Sequence, residues 1–242
     1  MFYLIGLGLR DVKDISFKGL EIVKKADEVY AEFYTSISSA ESDIKEFFGR
    51  EINIIEREKL EQNFGEMITK AKDKNIVLLV PGDPLAATTH VQFLIEAKEK
   101  GVDFEIIHSS SIFSAIAEIG LQLYKFGYTV SIPFDEKVVS YVDKIKTNQN
   151  NGLHTLCLLD LNPKDNAFLT VNEALSRMLS NKVIEQDTKV VVINNLGSTN
   201  KVIKYDFVKN LLNVKLGEGV SSIVIPGKLH FVEEEALEKL CG

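Results

Sequence analysis

The sequence is poor in cysteine, and it has neither a long apolar run nor a block of like charge. Only Cys157 and Cys241 occur among 242 residues, which excludes a disulfide framework or a thiolate metal site and fits a reducing cytoplasm. The net charge of −7, without a basic stretch, argues against nucleic acid as a partner. Glycines interrupt the apolar residues 1–8, which also lack a basic leader. They predict a first β-strand, and neither a signal peptide nor a membrane span.

Apolar runs of strand length alternate with segments of helical periodicity, which is the pattern of β-α units. Ile76–Val80 is apolar at every position, so we expect it at the centre of a largely parallel sheet with both faces covered. The pattern restarts after a short segment punctuated by glycine and proline. The sequence therefore predicts an N-terminal α/β domain over 1–123, a connection over 124–135 and a C-terminal α/β domain over 136–242.

The predicted elements follow from these periodicities. The strands are expected at Phe2–Leu7, Glu28–Phe33, Ile52–Ile55, Ile76–Val80, Asp103–Ile107, Thr155–Leu161, Lys189–Asn194 and Ser221–Ile225. Helical patterns run over Phe17–Tyr30, Ser39–Phe48, Gly65–Lys74, His90–Lys100, Ile112–Ile119, Glu136–Thr147, Val171–Lys182 and Glu233–Leu240.

Five predicted strand ends carry residues suited to ligand binding. In open α/β sheets, ligands collect beyond the carboxyl ends of the strands, where loops and helix N-termini offer unpaired backbone groups. The segments at these ends are Gly6–Leu9, Gly82–Ala86, Ser109–Ile112, Asp160–Pro163 and Pro226–His230.

The first of these segments, Gly6-Leu7-Gly8, invites a dinucleotide-binding interpretation. Asp11 stands where the third glycine of that fingerprint should be, which weakens the interpretation. The glycines also suit a tight turn, or a close approach of the backbone to a bound nucleoside. All three alternatives stay open at this point.

The segment around Asp83 gives the sharper signal, because two prolines and a glycine fix a rigid turn after a buried strand. Asp83 could hydrogen-bond a ribose or balance a cation. It could equally close an Asx turn, or cap a helix that starts near Thr88. Ser109–Ser111 has the same double meaning, since three serines before a helix are also a routine N-cap.

The histidines predict no metal site. His90, His108, His154 and His230 show none of the spacings that place two ligands on one helix face. His230 follows a strand beside a glycine, where its side chain could face a ligand. No serine lies in the setting of a nucleophile elbow, so acyl transfer has little support.

Five segments together resemble the diphthine synthase family, a branch of the tetrapyrrole-methylase-like superfamily. The resemblance spans essentially the whole chain. The segments that carry it are Phe2–Leu9, Val29–Thr35, Gly82–His90, His154–Leu161 and Ile225–His230.

This resemblance implies two α/β domains of the tetrapyrrole-methylase type, with S-adenosylmethionine bound as the methyl donor in the interdomain cleft. It also implies a homodimer. The positions that it assigns to donor binding, several of them through backbone atoms, are Leu9, Asp83, Ala86, Ser111, Ile112, Leu161, Tyr205 and His230.

The implied activity is successive methylation of the amino group of a modified histidine on translation elongation factor 2, which forms diphthine in diphthamide biosynthesis. Transfer from a sulfonium depends on alignment of donor and acceptor, so a missing nucleophile–base pair fits it. The compact length favours three methyl groups over the four that eukaryotic relatives add. Two alternatives remain: a tetrapyrrole methyltransferase that acts on a porphyrinoid ring, and a non-catalytic nucleoside-binding α/β module.

Overall fold

The structure is a computed structural model that describes residues 1–32, 41–162 and 167–242. The chain forms two compact units, Met1–Ala115 and Ile116–Gly242. Among the described residues, every helix is too short or too polar to cross a membrane. Some residues of the predicted elements and motifs lie outside the described ranges, namely Phe33, Tyr34, Thr35, Ser39, Ala40 and Pro163.

The first unit is built on a parallel sheet. Its strands are β1 (Phe2–Gly6), β2 (Glu28–Ala31), β3 (Asn53–Ile54), β4 (Ile76–Val80) and β5 (Phe104–Ile107). They lie in the order β3-β2-β4-β1-β5, and every pairing is parallel. The helices are α1 (Phe17–Lys25), α2 (Glu41–Phe48), α3 (Arg57–Lys70), α4 (Val91–Glu99) and α5 (Ile112–Ala115).

Strand β4 explains why its sequence is apolar without alternation. Ile76, Leu78 and Val80 join a hydrophobic cluster with side chains of α3 and α4, whereas Val77 and Leu79 join a second cluster with side chains of α1 and α2. All five side chains are at most 1% exposed. The predicted central position in a parallel sheet, with both faces covered, is confirmed.

The second unit is built on a mixed sheet. Its strands are β6 (Val130–Ile132), β7 (Thr155–Leu159), β8 (Leu161–Asn162), β9 (Ala167–Phe168), β10 (Lys189–Asn194), β11 (Val202–Phe207) and β12 (Ser221–Ile225). The order is β11-β10-β12-β7-β6, parallel only between β6 and β7, while β8 and β9 form a separate antiparallel pair. The helices are α6 (Tyr141–Asn150), α7 (Val171–Ser180), α8 (Val208–Leu211) and α9 (Phe231–Leu240). Buried side chains of α6, α7 and α8 form one hydrophobic cluster with this sheet.

The α/β class is confirmed, and several predicted boundaries are wrong. Helix α3 begins at Arg57 instead of Gly65, and α6 begins at Tyr141 instead of Glu136. Strand β11 was not predicted. The segment 124–135 contains β6, which pairs with β7.

Candidate functional site

Three loops meet at the carboxyl edge of the first sheet. Strands β1, β4 and β5 end side by side, because Gly6 pairs with Val80 and Ile5 pairs with Ile107. The loop after β1 then contacts the loop after β4. The Gly8 N–H donates to the Gly82 carbonyl at 3.2 Å, and the Gly82 N–H donates to the Gly8 carbonyl at 2.8 Å. These backbone bonds fix the relative position of the first two loops.

Glycine is required where these loops come close. A Cβ on Gly6 would lie 2.5 Å from the Gly82 carbonyl oxygen and 2.9 Å from the Ser109 Cβ. Gly8 and Gly82 have φ values of +92° and +71°, in the left-handed region that side chains disfavour. The Gly6-Leu7-Gly8 segment therefore serves a tight turn and a close contact between loops.

Asp83 ties the loop after β4 to the loop after β5. Its Oδ1 accepts a hydrogen bond from the Leu85 N–H at 3.0 Å, which closes an Asx turn. Its Oδ2 accepts from the Ser109 N–H at 3.2 Å and from His108 Nδ1 at 2.8 Å. Helix α4 begins at Val91, so the prediction of Asp83 as the cap of a helix near Thr88 is wrong.

The other predicted residues of the first unit lie on the same loops. The Leu9 N–H donates to the Ser110 hydroxyl at 3.2 Å, which links the loops after β1 and β5. The Ala86 N–H donates to the Asp83 carbonyl at 3.1 Å. Ser111 is 8% exposed and directly precedes α5, which starts at Ile112. The structure therefore brings Leu9, Asp83, Ala86, Ser111 and Ile112 to one edge of the first sheet.

A buried histidine supports the loop after β4. His90 Nδ1 lies 3.1 Å from the Pro84 carbonyl oxygen and 2.9 Å from the Thr88 hydroxyl. A carbonyl only accepts, so Nδ1 carries a proton and donates to Pro84. His90 Nε2 lies 3.6 Å from Glu32 Oε1, and both residues are fully buried. Burial lowers the pKa of His90, although the hydrogen bond to Pro84 opposes the shift.

Leu161 and Asp160 follow the end of β7 in the second unit. Leu161 is half-buried in β8, opposite Phe168. Its N–H donates to Asp160 Oδ1 at 3.0 Å, and Asp160 Oδ2 accepts from the Phe134 N–H at 3.0 Å. Like Asp83, Asp160 holds the backbone of two segments together.

Tyr205 lies in β11, opposite Val191. Its N–H donates to the Cys241 carbonyl at 2.6 Å, and Lys189 Nζ lies 5.0 Å from the centre of its ring. Burial raises the pKa of the Tyr205 hydroxyl, and the nearby carboxylates of Glu234 and Glu238 raise it further. Tyr205 therefore packs beside the end of the chain.

His230 is the N-cap of α9. Its Nδ1 accepts a long hydrogen bond of 3.4 Å from the Val232 N–H, and its own N–H donates to Glu233 Oε2 at 2.8 Å. This is a capping box with histidine in the place of serine or threonine. A neutral His230 ring that accepts at Nδ1 carries its proton on Nε2.

Sequence reasoning missed a buried charged network beside His230. Glu233 is fully buried, and its carboxylate accepts from the Gln122 N–H at 3.0 Å, from His154 at 3.1 Å and from Lys125 Nζ. Burial by itself raises the pKa of Glu233, but these hydrogen bonds and that of His230 lower it to about 2. The glutamate three residues after His230 was the available signal, since it is the spacing of a capping box.

The described residues hold no group of three or more His, Cys, Asp or Glu side chains arranged to bind a metal ion. Cys157 is fully buried in the sheet of the second unit, and burial raises the pKa of its thiol. A buried thiol of this kind has little thiolate character, so it is not a nucleophile.

Comparisons with known proteins cover the full chain. A family model described as Tetrapyrrole (Corrin/Porphyrin) Methylases matches residues 1–211. The chain is 44% identical over 256 residues to the diphthine synthase of Methanocaldococcus jannaschii, covering 100% of this chain and 99% of that protein. It is also 44% identical over 252 residues to the diphthine synthase of Methanococcus aeolicus, covering 100% of this chain and 98% of that protein.

The fold is also similar to that of a solved relative. A crystal structure described as diphthine synthase matches with a TM-score of 0.93 at 40% identity, covering 99% of this chain and 95% of that one. The chain therefore belongs to the tetrapyrrole (corrin/porphyrin) methylase family and groups within it with the diphthine synthases.

Proposed function

We propose that this protein is an S-adenosylmethionine-dependent methyltransferase of diphthamide biosynthesis, which methylates the amino group of a modified histidine on translation elongation factor 2. The observation that carries the proposal is identity of 44% to diphthine synthases over the full length of both proteins. The three interlocked loops of the first unit support it, because they form the kind of strand edge at which α/β proteins bind ligands.

The proposed donor-binding residues of the first unit are Leu9, Asp83, Ala86, Ser111 and Ile112. This edge fits a nucleoside in one respect. Outside its chain neighbours, the atom nearest to a Cβ built on Gly82 would be the Ser111 Cβ at 3.9 Å, an ordinary van der Waals distance, so the backbone of Gly82 is not crowded. A ligand there could contact main-chain groups directly.

Leu161, Tyr205 and His230 are the proposed donor-binding residues of the second unit. In His230 the cap occupies Nδ1, so the proton of the neutral ring is on Nε2, as an Nε2–H that the cap does not use. That N–H is suited to donate to an oxygen of the donor. No metal is part of the proposed site.

S-adenosylmethionine supplies a methyl group already activated by a sulfonium. The work of the protein is then to hold donor and amine in line, and alignment of this kind lowers a barrier by several kcal/mol, about 7–11 at most. Asp83 contributes by closing its own turn through Leu85 and by joining that turn to the loop after β5 through Ser109. The carboxylates of Asp83 and Asp160 both accept backbone hydrogen bonds, so their first role is loop geometry.

The remaining parts of the proposal concern the surroundings of the enzyme. We propose that it acts in the cytoplasm as a homodimer, that elongation factor 2 is its protein substrate, and that it adds three methyl groups. The net charge of −7 leaves nucleic acid outside the proposal.

The test is mass spectrometry of elongation factor 2 carrying the modification precursor, after incubation with the protein and S-adenosylmethionine. We expect successive mass gains of one methyl group each, ending at three. A parallel incubation with a porphyrinoid acceptor should give no methylated product. Transfer to the porphyrinoid alone, or donor binding without any transfer, would replace this proposal with one of its alternatives.

A further inference from the structure

His154 is fully buried beneath the Pro226–His230 loop and forms hydrogen bonds with Gly227 and Glu233. Its Nδ1 accepts from the Gly227 N–H at 2.8 Å, and its Nε2 lies 3.1 Å from Glu233 Oε1. An amide N–H only donates, so Nδ1 must be unprotonated and Nε2 must carry the proton. The two contacts therefore fix the tautomer of His154.

The loop depends on this network for most of its backbone hydrogen bonds. His154 accepts from Gly227, Lys125 Nζ donates to the Lys228 carbonyl at 2.7 Å, and Glu233 accepts from the His230 N–H. Two further bonds join the Lys228 N–H to the Gly152 carbonyl and the Glu234 N–H to the His230 carbonyl, both at 3.0 Å. Glu233 bonds to both His154 and Lys125, so the three side chains form one hydrogen-bonded network.

The packing around Gly227 leaves little freedom for the loop. A Cβ at this position would lie 2.5 Å from both the Gly152 carbonyl oxygen and the Leu153 carbonyl carbon. Loss of the His154 acceptor would leave the part-buried Gly227 N–H without a partner in this tight packing, and an unpaired donor there costs more than the bond contributes.

We propose that His154 is a positioning residue for methyl transfer: its neutral Nε2–H tautomer holds the Gly227 N–H, and through that bond it holds the loop that carries the ring of His230 in the donor-binding orientation. This inference rests on the proposed function. His154 itself is buried and does not contact the donor.

The electrostatics around His154 give the proposal a pH dependence. The charged groups that face it are Glu233 from α9 and Lys125 from the turn before β6. Burial lowers the pKa of His154 below its ordinary 6.5, and Lys125 lowers it, although Glu233 raises it. Protonation would place a proton on Nδ1 and break the bond to Gly227. The loop should therefore hold its position above pH 6.5 and lose it only in more acidic solution.

Two substitutions separate the two bonds of His154. In His154→Asn, the side-chain carbonyl oxygen replaces Nδ1 and can still accept from Gly227. In His154→Gln, the side-chain N–H replaces Nε2 and can still donate to Glu233, but the Gly227 N–H loses its acceptor. Both variants lose the ring packing against Phe126, so this loss cancels in the comparison.

The measurement is calorimetric binding of S-adenosylhomocysteine to each full-length variant at pH 7.5, with thermal melting to verify folding. We expect affinity to fall about tenfold in His154→Gln and less than about threefold in His154→Asn. Between pH 7.5 and pH 5, the ratio of wild-type to His154→Asn affinity should fall. Groups outside the network titrate alike in both proteins and cancel in this ratio, and Glu233, with a pKa of about 2, stays ionised over this interval.

Equal affinity of the two variants, or a pH-independent ratio, would overturn the role of His154. Absence of binding to the wild-type protein would instead remove the proposed function. If a variant does not fold, nitrogen NMR of the wild-type protein decides: a His154 ring protonated at Nδ1 at pH 7.5 contradicts the proposal, and one protonated at Nε2 supports it.

Discussion

The two units anchor their proposed donor loops by different means. In the first unit, loops are joined by backbone bonds between Gly8 and Gly82 and by one carboxylate, Asp83. In the second, the loop rests on a buried charged network of His154, Glu233 and Lys125. A loop held largely by main-chain contacts should depend less on pH than a loop held by a network of titratable side chains.

The two buried histidines show the same contrast. His90 donates from Nδ1 to a carbonyl, and His154 accepts at Nδ1 from an amide. The same side chain thus supports a loop with Nδ1 protonated in one case and unprotonated in the other. The backbone group above the ring decides which tautomer forms, and that group is known only once the chain is folded.

The largest effect should come from Glu233→Ala. The substitution removes the common acceptor of four donors and leaves Lys125 in the network without its carboxylate. We expect a loss of about 3–5 kcal/mol in the free energy of unfolding, measured by urea denaturation. The exposed neighbour Glu234 is the matched control, and Glu234→Ala should change stability by less than about 0.5 kcal/mol. A comparable loss of stability in both variants would mean that the hydrogen bonds of Glu233 add nothing to the free energy of unfolding.

The second effect is acid sensitivity of the second unit. The pKa of Glu233 is lowered from its ordinary 4.5 to about 2 in the folded protein, so its contribution to stability is complete above pH 4.5 and is lost as the pH falls toward 2. That contribution is on the order of 3 kcal/mol. Stability curves of wild-type and Glu233→Gln proteins should converge over this interval. Parallel curves would show that Glu233 does not titrate with folding.

The third effect concerns the corresponding anchor in the first unit. Asp83→Ala removes two backbone hydrogen bonds to a carboxylate, so we expect affinity for S-adenosylhomocysteine to fall about 10- to 100-fold while the unit still folds. His108→Ala removes only the partner that is 66% exposed, and it should leave affinity within about twofold. Unchanged affinity in Asp83→Ala, measured by calorimetry, would take Asp83 out of the donor site.

The smallest effect should distinguish the two loop glycines. Gly82→Ala meets an unfavourable φ of +71° without a steric clash, at a cost of about 1–2 kcal/mol. Gly227→Ala meets backbone atoms at 2.5 Å, at a cost of about 1–3 kcal/mol. Asparagine tolerates positive φ, so Gly82→Asn should recover stability and Gly227→Asn should not. Thermal melting of the four variants tests this difference between the two positions. Recovery of stability in both asparagine variants would contradict it.

The fold of the first unit was largely predictable, because a continuous apolar run in the sequence indicates a fully buried parallel strand. Strand β11 was harder. It is an edge strand, and the charged Lys204 and Asp206 interrupt its apolar residues, although Ile203, Tyr205 and Phe207 do alternate with them. Gly65 concealed the start of α3, since a glycine inside a helical pattern resembles a boundary.

The turn geometry of the candidate site was predictable where the segment is local in sequence. Four consecutive residues around Asp83 predict a rigid turn. The structure places this turn after β4, at the carboxyl edge of the parallel sheet. The network under His230 was not predictable in the same way. His154 and Glu233 are far apart in sequence, and only the antiparallel pairing of β7 with β12 brings their surroundings together.

The burial of β4 on both faces has a consequence for how the first unit opens. A strand that sends neighbouring side chains into two separate apolar layers prevents either layer from melting by itself. Fluctuations that expose the backbone of residues 76–80 must therefore disrupt the whole unit, and amide protons there should be the last of the unit to exchange with solvent deuterium.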